Sequence, residues 1–164
     1  MTHDPASPIA GLHLTFDPKP SIKTRRALGA AINAFNARTA PLDSERFALL
    51  LRDDAGKLAA GLVGALFWAW LFVEALWVRD ALRGRGVGRA LMAGAEDHAR
   101  TKDCHSAWLD TFQARDFYQQ LGYERFGVLD DYPPGQSRHF MRKRLRSTPY
   151  SMAARELSVG AIIP

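Results

Sequence analysis

From Leu58 to Val78 the chain carries one charged side chain, Glu74, and no other stretch limits the fold as strongly. The run is about as long as a membrane-crossing helix needs, roughly 20 residues. Against a helix stand Gly61 and Gly64, the strand-favouring set Phe67, Trp68, Trp70, Phe72, Val73, Trp77 and Val78, and a carboxylate within apolar sequence. Two adjacent buried strands joined near Ala69 to Leu71 account for the same residues, and this hairpin is the preferred reading. No membrane partner is expected.

The flanking sequence extends the hairpin into a mixed fold. Gly11 to Phe16 alternates weakly and ends in Asp17-Pro18-Lys19-Pro20, which reads as a first strand closed by breakers. Ser21 is a candidate N-cap for a helix carrying Ile22, Leu28, Ile32 and Phe35 and ending before Pro41. Phe47 to Leu51 reads as a strand turning at Asp53 to Gly56 into the apolar run. Beyond that run, Arg79 to Gly86 brings charge and glycine, and Val87, Leu91, Ala95 and Ala99 then mark one face of a helix. A strand over Ala107 to Phe112, a short helix over Arg115 to Leu121 stopped by Gly122, and strands over Tyr123 to Leu129 and His139 to Leu145 complete the pattern. Strands and helices mixed in this order predict a single α/β domain, one sheet flanked by helices.

With 164 residues, 47% of them hydrophobic and 24% charged, the chain is one globular domain's worth. We expect a disordered segment at residues 1–8, the domain over 9–146 and a tail at 147–164. Cys104 is the only cysteine, so no intrachain disulfide forms and a reducing, cytoplasmic setting is expected. His3, His13, His98, His105 and His139 lack ligand spacing, so no metal is expected. Met1 to Pro8 lacks the basic and apolar segments of a secretory signal. A net charge of +5 favours polyanions, either nucleic acid or a phosphorylated cofactor. No nucleic-acid-binding motif accompanies it, so the cofactor reading leads.

The chemistry concentrates in Arg83-Gly84-Arg85-Gly86-Val87-Gly88-Arg89. Glycines here remove Cβ atoms where backbone can approach a ligand, and the start of a helix aims unpaired N–H groups outward. Such a turn is an anion site suited to phosphate. A P-loop would continue as Gly-Lys-Ser/Thr, but Gly88 is followed by Arg89-Ala90. A dinucleotide fingerprint would need a glycine at Arg89 or Leu91. The spacing of Arg83, Gly86 and Gly88 instead resembles the Arg-x-x-Gly-x-Gly pattern of the GCN5-related N-acetyltransferase (GNAT) superfamily. Ala75 to Val78, Leu91-Met92 and Ala114 to Tyr123, with its Phe117-Tyr118-Gln119-Gln120-Leu121-Gly122-Tyr123, extend the resemblance over most of the chain. Asp110 to Gln113 passes into the Phe117-Tyr118 helix sooner than in close relatives of that superfamily.

The resemblance implies a strand pair that splays to admit the pantothenate arm of acetyl-CoA. Leu76, Trp77 and Val78 would supply backbone contacts, and Arg83, Gly84, Arg85, Gly86, Val87, Gly88 and Arg89 the pyrophosphate site. The competing readings are solvated arginines and a tight turn without a ligand. The backbone N–H of Trp77 or Val78 would stabilise the oxyanion. Tyr118 occupies the superfamily position of a thiolate-protonating tyrosine, or else packs beside Phe117. Glu74 must face the cleft or reach an arginine, and is the candidate base, with Asp110 second. Cys104 reads as a small buried residue rather than an acyl-carrying nucleophile.

The implied activity is acetyl transfer from acetyl-CoA to a primary amine of a small molecule or peptide. The alternatives are an acetyltransferase toxin acting on aminoacyl-tRNA and a non-catalytic acyl-CoA sensor. In such a fold the substrate is set by the regions matching Ile22 to Pro41 and Asp130 to His139. A homodimer stays open.

Overall fold

The computed structural model describes residues 11–40 and 43–146, and the chain divides into two compact units, Met1–Leu42 and Asp43–Pro164. The expectations for residues 1–8 and 147–164 fall outside the described residues. In the first unit, Ser21 caps helix α1 (Ile22–Asn36), its hydroxyl accepting from the Thr24 N–H at 3.0 Å. Residues 11–16 correct the expectation of a first strand, for they have no regular structure and Gly11 turns with φ +82°. Alternation alone does not hold a strand whose backbone groups find no neighbour.

The second unit is built from β1 (Ser44–Arg52), β2 (Leu58–Phe67), β3 (Trp70–Val78), α2 (Val87–Thr101), β4 (Ser106–Thr111), α3 (Arg115–Gln120), β5 (Glu124–Asp130) and β6 (Ser137–Arg144). Leu58 to Val78 is the expected hairpin. Trp68 and Ala69 both take positive φ, 45° and 63°, as a two-residue turn between right-twisted strands requires. No helix among the described residues is long and apolar enough to cross a membrane.

The strands form one sheet in the order β1-β2-β3-β4-β6-β5. Only the β3–β4 pair is parallel, because α2 carries the chain back across the sheet between them. Leu91, Met92, Ala95 and Ala99 of α2 bury against Ala60, Leu62, Leu71 and Val73 of β2 and β3. Burying each of the larger side chains contributes about 1.5–3 kcal/mol. Glu96, also on this buried face, is satisfied by Lys143 of β6 at 2.7 and 2.9 Å and by Arg100 at 3.1 Å. This cluster ties the helix to the far half of the sheet.

A bulge changes the phase of β3. Val63 of β2 opposes Ala75 and Gly64 opposes Val73, leaving Glu74 as the extra residue. Leu71 and Val73 point to the α2 side before it, and Leu76 and Val78 pack on the same core after it.

Candidate active site

Strands β3 and β4 pair only over Trp70–Phe72 and Ser106–Trp108, although β3 continues to Val78 and β4 to Thr111. Beyond that point the two strands part, and the backbone groups facing the gap have no ladder partner. The phase of those groups follows from the strand end. The Arg79 N–H donates to Ala59 of the β2 side at 2.9 Å, so by alternation the Trp77 amide also faces β2 while Leu76 and Val78 face the gap. Consistent with this, the Val78 carbonyl accepts from Arg83 Nε at 3.1 Å.

The glycine turn closes one end of the gap. Gly84 and Gly86 take φ +71° and +82°, and Gly86 is the N-cap of α2. A Cβ at either would meet nothing within 4 Å, so conformation rather than crowding demands glycine there. The open space lies in front of the first amides of α2, where the helix dipole favours an anion. Gly88 differs, because a Cβ there would approach the Phe117 ring to 3.3 Å and Val78 to 3.8 Å. Arg83 is held by Asp80 at 2.8 Å, and Arg85 is exposed and outside the cavity lining.

These parts surround one cleft of about 660 Å³, lined among others by Leu76, Trp77, Val78, Arg83, Gly84, Gly86, Val87, Gly88, Arg89 and Tyr118. Helix α3 brings Tyr118 to it. The helix ends at Gly122, φ +85°, where the Tyr123 N–H reaches back to the Tyr118 carbonyl at 3.0 Å and the Gly122 N–H to Gln119 at 2.9 Å. Tyr118 is 7% exposed and sits edge-on to Phe117 at 5.0 Å and Tyr123 at 6.0 Å. Burial first, and the Asp110 charge second, push its phenol above the ordinary tyrosine range. It therefore stays protonated at neutral pH, the form a proton donor needs.

Glu74 reaches an arginine, Arg46 of β1, at 3.2 Å, and is not among the residues lining the cleft. Arg46 alternates with Phe47, whose ring packs at a tilt against His98 of α2, so the Glu74–Arg46 pair lies on the sheet face turned away from α2. Phe72 and Trp108 stack on that face at 4.2 Å. Asp110 pairs with Arg138 at 3.3 Å. Cys104 is buried, and its thiol is pushed up to about 11, chiefly by burial and then by Asp103, so it carries no useful thiolate. Among the described residues no three His, Cys, Asp or Glu side chains cluster as a metal would require.

Residues 14–123 match the model of the Acetyltransferase (GNAT) family. The chain belongs to this family. Blasticidin-S acetyltransferase of Streptomyces morookaense is 42% identical over 104 residues, covering 62% of this chain and 76% of the relative. Acetyltransferase Atu2258 of Agrobacterium fabrum (strain C58) is 33% identical over 125 residues, covering 74% and 91%. The crystal structure of an acetyltransferase from Agrobacterium tumefaciens superposes with a TM-score of 0.78 at 29% identity, over 81% of this chain and 99% of that one. As a GNAT protein, the chain is an acyl-CoA-dependent N-acyltransferase.

Two parts of this GNAT site escape a reading of motifs. The bulge at Glu74 left no trace, since Trp70 to Val78 is apolar at every position but Glu74 and shows no alternation to break. The contact of Gly88 with Phe117 left none either, because it joins elements separated by β4.

Proposed function

We propose that this GNAT enzyme transfers the acetyl group of acetyl-CoA to a primary amine of a small molecule by direct attack. The observation that carries the reading is the single cleft in which an open strand gap, a glycine-capped helix start and a buried, protonated tyrosine meet. The turn at residues 83–89 holds the pyrophosphate, and the gap-facing backbone groups of Leu76 pair with the pantothenate arm. The outward Val78 N–H is the oxyanion donor, since the Trp77 amide is directed at β2.

The amine nitrogen attacks the thioester carbonyl carbon, and the C–S bond breaks as the amide forms. Glu74, paired with Arg46 at 3.2 Å, takes the amine proton through water. Tyr118 gives its proton to the departing thiolate. An amine resembling lysine, with a pKa of about 10.4, is almost wholly protonated at neutral pH, so the base is indispensable. The small-molecule class is supported by the blasticidin-S relative.

Thiol release from acetyl-CoA with a panel of small amines tests the reading, together with a calorimetric titration of acetyl-CoA. Amine-dependent release is expected. Acetyl-CoA binding without release from any amine would favour a sensor, and absence of binding would refute the proposal.

A further inference from the structure

Arg138 carries more hydrogen-bonding capacity than the structure uses. Its Nε is buried and faces Asp110 without hydrogen-bond geometry, and its side chain is 28% exposed. The polar contact it makes among the described residues is an ion pair with Asp110 Oδ1 at 3.3 Å. A guanidinium has five donors in a planar fork, and the Asp110 pair engages only its Nε edge, leaving the two terminal nitrogens for a further acceptor. The fork is nonetheless held in place. Its carbon lies 4.6 Å from the Tyr132 ring centre and 5.9 Å from that of Phe112. The two aromatic rings flank the guanidinium and limit its freedom, which favours a planar partner.

Its position relates it to the reaction. Asp110 stands two residues beyond Trp108, where β4 leaves β3, and its charge acts on Tyr118. Asp110 thus links the mouth of the strand gap to Arg138, and Tyr132 stands in the loop between β5 and β6.

We propose that Arg138 anchors a carboxylate on the amine substrate while Asp110 draws the substrate's ammonium toward the gap, so that the acceptors are small zwitterions of amino-acid type. The inference rests on the acyl-transfer reading above and names its substrate class. Arg and carboxylate match as a bidentate pair, which is the contact the ordered fork lacks.

The test uses the full chain, saturating acetyl-CoA and matched amine pairs, each a free amino acid and its carboxamide. Phenylalanine and phenylalaninamide, and lysine and lysinamide, serve as probes. For at least one pair the free acid should react with kcat/KM about 10-fold or more above its amide, the scale of a charge-assisted hydrogen bond. Arg138→Gln should erase that ratio through KM, and Arg138→Lys, which keeps charge without the fork, should restore part of it. Acetyl-CoA affinity should not change in either variant. Amides reacting as well as acids, or a ratio that survives Arg138→Gln, overturns the proposal. The wild-type pairs decide the matter even if a variant fails to fold. If no probe is acetylated while acetyl-CoA binds, the zwitterion class falls and the acyl-transfer reading stands; if acetyl-CoA does not bind, the failure lies in that reading.

Discussion

Gly88 lies against Phe117 so closely that a Cβ on the glycine would stand 3.3 Å from the ring, which couples the start of α2 to the helix that presents Tyr118. Replacing Gly88 with Val should press on both Phe117 and Val78. Overpacking of this kind costs about 1–3 kcal/mol and here displaces α3 from the cleft. Both melting temperature and acetyl-CoA affinity should fall, as thermal denaturation and calorimetry would register; an unchanged affinity would show that α3 is not coupled to the turn.

Gly86→Ala tests conformation apart from crowding. Its φ of +82° is left-handed, yet a Cβ there meets nothing within 4 Å. The penalty should be about 1–2 kcal/mol of backbone strain. We expect lower stability and weaker acetyl-CoA binding, because the turn relaxes away from the geometry that aims the α2 amides. Binding equal to wild type would remove the turn from the pyrophosphate site.

For Tyr118→Phe the ring and its packing remain while the proton is lost. Single-turnover acetylation should slow by about 10²-fold with acetyl-CoA affinity nearly intact. The direction of the phenol shift adds a pH signature. Because burial and Asp110 raise the value, the acid form persists through pH about 10, so the wild-type rate should show no alkaline loss below it. A decline centred near pH about 8 would assign proton donation to another group.

Cys104 is buried with a thiol pushed up to about 11, so it should resist alkylation at pH about 8 in the folded protein and react on unfolding. Cys104→Ser should retain the acetylation rate. Loss of the rate in a variant with normal melting would revive a covalent acyl-enzyme route.

Lys143→Met probes the tie between α2 and the outer half of the sheet. It leaves the Glu96 carboxylate, with a side chain 6% exposed, facing Arg100 and the neighbouring Tyr123 hydroxyl. Removing one partner of a buried pair costs about 3–5 kcal/mol, and the remaining Arg100 contact puts this case at the low end. The expected drop in melting temperature is several degrees, with acetyl-CoA affinity preserved once the protein is folded. Wild-type stability would mean that Arg100 and Tyr123 suffice to satisfy the carboxylate.

The elements legible in the chain were those whose cause is local. The hairpin from Leu58 to Val78 follows from strand-favouring residues and a two-residue turn, and α2 follows from its four-residue apolar spacing after Gly86. The turn at residues 83–89 was recognisable because a left-handed φ and a helix start are encoded by neighbouring residues. Ser21 announced α1 for the same reason.

Residues 11–16 show where local pattern stops being sufficient, since their alternation forms no strand among the described residues. Partners and register arise between distant segments. Insertion of β6 between β4 and β5, the end of β3–β4 pairing at Phe72 and Trp108, and the bulge that aims Glu74 at Arg46 all depend on how the sheet assembles. So does the meeting of Arg138 with Asp110, Phe112 and Tyr132, residues that share no local motif. Local backbone preferences made the glycine turn at residues 83–89 readable, whereas long-range strand pairing decided which side chains meet around it.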